Sequence, residues 1–189
     1  MKVRDSGMPQ EEMWKSFFDP HTILQKLNMN FNIKDAVEFG SGYGTFSITA
    51  ASLISGNLYA LDIEKEMIGS LQKKIREENI SNIKIIQRDF VTEGTGLKDD
   101  SVDYVMMFNI LHAEEPEKLL QEAYRILRSG GKIGVIHWIH SEDTPRGPSL
   151  DMRPAPEQCI KWLRNTGFEM EGKTIDLPPY HYGIIGSKD

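Results

Sequence analysis

Residues 37–47 read "VEFGSGYGTFS", and the spacing of their glycines decides how the chain is read. Gly40, Gly42 and Gly44 follow a short apolar run and precede a segment of helical composition, an arrangement that lets backbone approach a nucleotide. In a dinucleotide fold the third glycine of the fingerprint comes three positions after the second, where this chain has Thr45. Glu38 stands at the end of the apolar run, and an acid there suits a cationic ligand.

The flanking sequence alternates between two periods. "DAVEF", "NLYALDI", "IKIIQRDF", "VDYVMMFNI" and "KIGVIHWI" are short apolar strands. Between them lie the helical patterns "GTFSITAASLIS", "KEMIGSLQKKIREEN" and "EPEKLLQEAYRIL", the last expected to be capped by "SGG". A polar loop is expected through "TEGTGLKDDS". Strands this continuously apolar, alternating with helices, predict an α/β fold: a Rossmann-like, doubly wound, mostly parallel sheet covered on both faces. The tail adds a helix, "EQCIKWLRNTG", and two strands, "FEMEGKTI" and "YHYGIIGSK". Their short "DLPP" link cannot make a parallel crossover, so the sheet is expected to have seven strands and an antiparallel last strand.

At 189 residues, one domain spanning 1–189 is expected. Its expected parts are an N-terminal helical lid at 1–30, a cofactor-binding core at 35–138, and a substrate-side loop with the antiparallel strands at 139–189. The net charge of −6 argues against binding phosphate backbones, so no nucleic-acid partner is expected. No apolar run reaches the roughly 18 residues of a membrane span, and the start lacks the apolar core of a secretory signal. A cytoplasmic location is the corresponding expectation. The single cysteine, Cys159, rules out an internal disulfide and a cysteine-based zinc cluster, and reads as a packed thiol.

Two further acids extend the glycine loop. Asp62 ends the second strand 22 residues after Gly40, where such folds place an acid on ribose hydroxyls. Asp89 and Phe90 end the third strand at the same carboxyl edge. Taken singly, each aspartate also reads as a helix cap or turn residue.

Together, "VEFGSGYG", "ALDIEKEM", "IIQRDF" and "VDYVMMFNILHAEEPEKLLQEAYRILRSGGKIGVI" resemble the class I S-adenosylmethionine-dependent methyltransferases over residues 35–138. The likeness is greatest to the small-molecule branch that includes ubiquinone and menaquinone biosynthesis enzymes, whose sheet also ends in a reversed strand. The resemblance implies methyl transfer from S-adenosylmethionine to a small-molecule acceptor, leaving S-adenosylhomocysteine. It places Glu38 near the methionine amino end of the cofactor, with the backbone of Gly40, Ser41 and Gly42 packed against it. Asp62 then binds the ribose, Ile63 packs on the adenine, Asp89 meets the adenine amino group and Phe90 its ring. Asn109 falls beside the methionine moiety and the transferring methyl.

On the acceptor side, His112 is the candidate general base, because its loop follows the fourth strand; a pocket-lining or capping histidine is the alternative. His137 and His140 are three residues apart on an extended strand and point to opposite faces, so no metal site is expected. His137 and Trp138 are instead candidates for the acceptor pocket, Trp138 with core packing as its alternative. Trp14 and Phe18 are candidates for a lid, and Arg146 for an acidic substrate. "PPYHYG" reads as structural. Rival functions are methylation of RNA or protein, a noncatalytic S-adenosylmethionine sensor, and a nicotinamide-dependent oxidoreductase. Thr45 and Glu38 weigh against the last.

Overall fold

The computed structural model describes residues 9–189; the first part of the expected lid, 1–8, lies outside the described residues. Two short helices come first, α1 (Glu11–Lys15) and α2 (Pro20–Lys26). Pro20 pre-sets the first turn of α2, and the Asp19 carboxylate accepts from the Thr22 amide as its cap. The alternating core follows as β1 (Ala36–Phe39), α3 (Thr45–Leu53), β2 (Leu58–Asp62), α4 (Lys65–Glu77), β3 (Ile83–Gln87), α5 (Phe90–Glu93), β4 (Val102–Phe108), α6 (Pro116–Ile126) and β5 (Leu127–Trp138). The tail comprises a 3-10 turn at Leu150–Met152, α7 (Pro156–Thr166), β6 (Glu169–Met170), β7 (Ile175–Leu177) and β8 (His181–Ser187).

All strands join one sheet in the order β3-β2-β1-β4-β5-β8-β6, with β7 also on β8. β1 to β5 pair in parallel, and β8 runs antiparallel to β5. The expected reversed strand is therefore present. Strand order reverses between β1 and β4, opening the crevice where ligands of open α/β sheets bind.

Period-two alternation divides the core. Val37, Phe39, Val105 and Met107 face one apolar cluster with α6 and α7 residues, while Ala36, Tyr104, Met106 and Phe108 face another built on α2 and α3. Glu38 shares the second face and is 2% exposed, a carboxyl placed inside the core rather than on a surface.

Three local expectations are corrected. "FEMEGKTI" is two strands rather than one: the chain leaves the sheet between Met170 and Ile175, both halves pair with β8, and the count becomes eight. "SGG" does not cap α6, because Leu127 is already extended and the glycines belong to β5. The helix end is satisfied instead by Lys188, whose Nζ donates to the Tyr124 and Leu127 carbonyls at 2.9 and 2.7 Å. Finally, the loop after β3 starts with the short helix α5, whose first amides are held by Asp89.

Candidate functional site

The β1–α3 turn is built from its backbone outward. Gly40 and Ser41 amides both donate to the Leu61 carbonyl, and the Gly42 amide donates to Asp62 Oδ2 at 2.8 Å. Gly44 adopts φ +77°, and a Cβ there would sit 2.5 Å from Leu71 Cδ1, so the last glycine is required by conformation and by packing. The turn is thus tied to the end of β2 on one side and packed on α4 on the other.

A cavity opens above this turn. Glu38, Gly40, Ser41 and Gly42 form one end of its wall, Asp62, Ile63 and Phe90 another, and Asn109 and His112 a third from the loop after β4. Trp14 from α1 and Trp138 from the end of β5 complete it. The structure therefore brings together most of the residues singled out from sequence.

Four stand apart. Asp89 lies outside the lining, its Oδ1 accepting the Val91 and Thr92 amides at 3.2 Å as the cap of α5. Phe18 packs behind the wall, its ring 4.8 Å from Trp14 and 5.1 Å from Phe46. His137 is fully buried beneath His112, ring centroids 5.7 Å apart, rather than at the cavity surface, because alternation along β5 sends Trp138 to the cavity face and its neighbour to the other. Arg146 is exposed; the buried arginine of that loop is Arg153, which donates to the Ile139, Ser141, Arg146 and Pro148 carbonyls and to Thr144.

Other lining residues escaped the sequence reading. Thr45, Phe46 and Met67 come from helix faces, and Phe108 and Ile110 flank Asn109. Phe108 ends a strand at the carboxyl edge, a position that marks it in retrospect.

Buried polar atoms converge on the cavity. Among the described residues, Ser41 Oγ, Thr45 Oγ1 and both amide atoms of Asn109 have no hydrogen-bond partner. Leaving such groups unpaired costs about 1–3 kcal/mol each, so they mark where a polar ligand completes the structure. Asn109 is also held at φ +54°, a conformation uncommon outside glycine and concentrated at functional sites. Burial, with a smaller contribution from the Asp62 charge, pushes the Glu38 carboxyl up to about 8 against the opposing Ser47 hydrogen bond. Burial also raises Asp62, although the Glu64 and Gly42 amides oppose it. A cationic amino group beside Glu38 would supply the missing countercharge. Unpartnered donors and acceptors, an acid at each end and an apolar wall fit an amino-acid nucleoside such as S-adenosylmethionine. Among the described residues, no group of three or more His, Cys, Asp or Glu side chains could hold a metal ion.

Comparison with known proteins agrees with this geometry. Residues 36–131 match the family described as "Methyltransferase domain". The ubiquinone/menaquinone biosynthesis C-methyltransferase of Rickettsia prowazekii is 35% identical over 131 residues, covering 67% of this chain and 50% of that protein. An uncharacterised protein of Methanocaldococcus jannaschii is 30% identical over 185 residues, covering 94% of this chain and 78% of that one. The chain spans about half the length of the quinone-biosynthesis relatives it matches. In fold, it superposes on an S-adenosylmethionine-dependent methyltransferase from Aquifex aeolicus with TM-score 0.82 and 21% identity, covering 93% of each chain. With the family pattern running through the glycine loop, both acidic strand ends and the loop that carries Asn109, this chain belongs to the family of S-adenosylmethionine-dependent methyltransferase domains.

Proposed function

We propose that the chain methylates a small, uncharged acceptor that carries a flat apolar group. The observation that carries this reading is the composition of the cavity wall. Three carboxyl residues, Glu38, Asp62 and Glu64, line it together with Trp14, Phe46, Phe108 and Trp138, while no Lys or Arg does among the described residues. An anionic acceptor would enter beside these carboxyls without a countercharge, which is costly wherever the wall removes it from water. Arg153 does not fill that gap, since it stacks 5.5 Å over the far wall of Trp138 and spends its donors on loop oxygens. The quinone-biosynthesis relatives point toward the same acceptor class.

S-adenosylmethionine supplies an already activated methyl on a sulfonium. In this reading Glu38 and Asn109 hold its amino-acid end, the Gly40–Gly42 backbone lets it approach β1, and Asp62 holds the ribose, with Ile63 and Phe90 against the adenine. The chain's chief work is then orientation and exclusion of water, and orientation can supply about 7–11 kcal/mol of a barrier. A general base adds about 10² to 10⁴ in rate; His112, at the cavity and 4% exposed, is the residue placed to take a proton from the acceptor. The acceptor walls come from Trp14 and from the 35–138 part itself, and no residue of 139–189 lines the cavity among the described residues.

Thermal unfolding with S-adenosylhomocysteine, S-adenosylmethionine, NAD and no ligand tests the cofactor half. A ligand at a hundred times its dissociation constant adds about 2.7 kcal/mol, several degrees for a domain of this size. A shift with NAD alone would overturn the reading in favour of a nicotinamide enzyme. Turnover of S-adenosylmethionine with paired neutral and carboxylated naphthols then tests the acceptor half. Preference for the carboxylated member would reject an uncharged acceptor, and cofactor binding without turnover on any acceptor would favour a sensor.

A further inference from the structure

Helix α1 has only five residues and buries none of them fully, too few to be a stable helix by itself, and it rests on the ring of Trp14 packed against Phe18. Trp14 also forms part of the cavity wall, its ring centroid 6.3 Å from that of Trp138. A residue of a different element ties α1 to the glycine turn. Lys74, on α4, directs its Nζ to two acceptors: Glu11 Oε1 on α1 at 2.5 Å, and the carbonyl of Tyr43 within the glycine turn. Its side chain is 18% exposed and that of Glu11 is 29% exposed. Glu11 also pairs with Lys15 at 2.7 Å, and the Tyr43 hydroxyl donates to the Pro9 carbonyl at 3.3 Å just before α1. The glycine turn and the helix that carries Trp14 are therefore clasped to each other through one ammonium group, with the Tyr43 hydroxyl as a weaker second link.

We propose that Lys74 is a positioning residue that couples the glycine turn to α1, so that the turn and the Trp14 wall close on bound cofactor as a unit. The inference rests on the cofactor assignment above and extends it to retention of the ligand. An ammonium with two oxygen acceptors in partly desolvated surroundings is stronger than an exposed surface pair, and Lys15, the other cation on Glu11, lies on α1 itself and so cannot join that helix to the turn. Losing the clasp frees both the roof and one anchor of the loop beneath. The consequence falls on ligand release, because a roof that opens more often lets ligand out.

The test measures the dissociation rate of S-adenosylhomocysteine from the wild-type chain and from Lys74→Met, Glu11→Gln and the double variant. Lys74→Met is expected to release it about tenfold faster, the order set by one charge-assisted hydrogen bond, with little change in association. Glu11→Gln should show part of that effect, and the double variant no more than Lys74→Met alone, since both changes break one clasp. Trp14 emission in Lys74→Met should move toward that of a water-exposed indole, with a Trp14→Phe background identifying the signal. Wild-type binding with the same release rate in Lys74→Met would overturn the inference and leave the cofactor assignment standing. Failure of the wild type to bind S-adenosylhomocysteine would overturn both. Should Lys74→Met fail to fold, Glu11→Gln, which keeps the Tyr43 contact, decides the outcome by the same rate.

Discussion

Glu38 on β1 and Ser47 on α3 share a buried hydrogen bond, the Ser47 hydroxyl donating to Glu38 Oε2 across the junction that the glycine turn bridges. The strand, the helix and the acid at the cavity are thus one unit. Burial holds the folded-state pKa of Glu38 at about 8, above its ordinary 4.5. Its contribution to stability is therefore fully present below pH 4.5 and is lost as pH rises toward 8, at up to about 1.4 kcal/mol per pH unit. Glu38→Gln should abolish this alkaline loss in an unfolding series from pH 5 to 8.5 while weakening S-adenosylhomocysteine binding. In the wild type, bound cofactor should flatten the same limb by stabilising the carboxylate. A wild-type slope unaffected by ligand would separate Glu38 from the cofactor's amino group.

The acid side is governed by two histidines whose shifts run opposite to that of Glu38. His181 is brought down to about 3 by burial, with Arg153 adding to the effect, and burial, aided by the His112 charge, holds His137 well below its usual value. Neither ring nitrogen of either residue has a hydrogen-bond partner among the described residues. Their contribution is present above the ordinary pKa of 6.5 and lost as pH falls, because the unfolded chain takes up protons that the core refuses. Two groups on the acid side against Glu38 on the alkaline side place maximum stability near pH 6.5. Urea denaturation at pH 5, 6.5 and 8 checks this, and His181→Phe, packed among Phe18 and Trp138, should leave the limb between pH 5 and 6.5 nearly flat, because Glu38 then offsets the one histidine that remains.

Much of this organisation was legible because it is local. The glycine spacing, Glu38 and Asp62 lie within one strand–turn–helix–strand segment, and short-range periodicity suffices to put them at one sheet edge. The misread parts are those decided at long range. Lys188 ends α6 from the far end of the chain, so no feature near "SGG" could announce it. Gly172 gave no sign in the alternation of "FEMEGKTI" that the strand would break there. His137 and Trp138 were read as a pair because both end β5, whereas the pleat sends them to opposite faces. Arg146 and Arg153 look equivalent in a polar loop; only the folded loop shows which one it wraps.

Asp62 has two duties that a single variant removes together. Its Oδ2 accepts from Gly42 and its Oδ1 from the Glu64 amide at 2.9 Å, while the side chain faces the cavity. Asp62→Ala should lower affinity for S-adenosylhomocysteine on the order of 100-fold, as expected for losing two charge-assisted contacts, and destabilise the free protein by about 1–3 kcal/mol through the orphaned amides. Calorimetric titration and denaturation separate the two effects. Affinity unchanged in a destabilised protein would make Asp62 a loop anchor alone.

The tight packing of the glycine turn on α4 gives the last prediction. Gly44 combines φ +77° with a neighbour, Leu71, that is fully buried and so has little room to yield. Gly44→Ala should cost about 1–3 kcal/mol, the backbone strain of a non-glycine residue in this region together with displacement of the leucine. Trimming the neighbour distinguishes the two causes. In a Leu71→Ala background the added methyl has space, so any penalty that remains belongs to the backbone. Gly69 on the same helix is the control: a Cβ there meets nothing within 4 Å, and its substitution by alanine should stabilise α4 by about 1 kcal/mol, as helix propensity requires. A Gly44→Ala protein as stable as the wild type would show that the turn can rebuild without its left-handed residue.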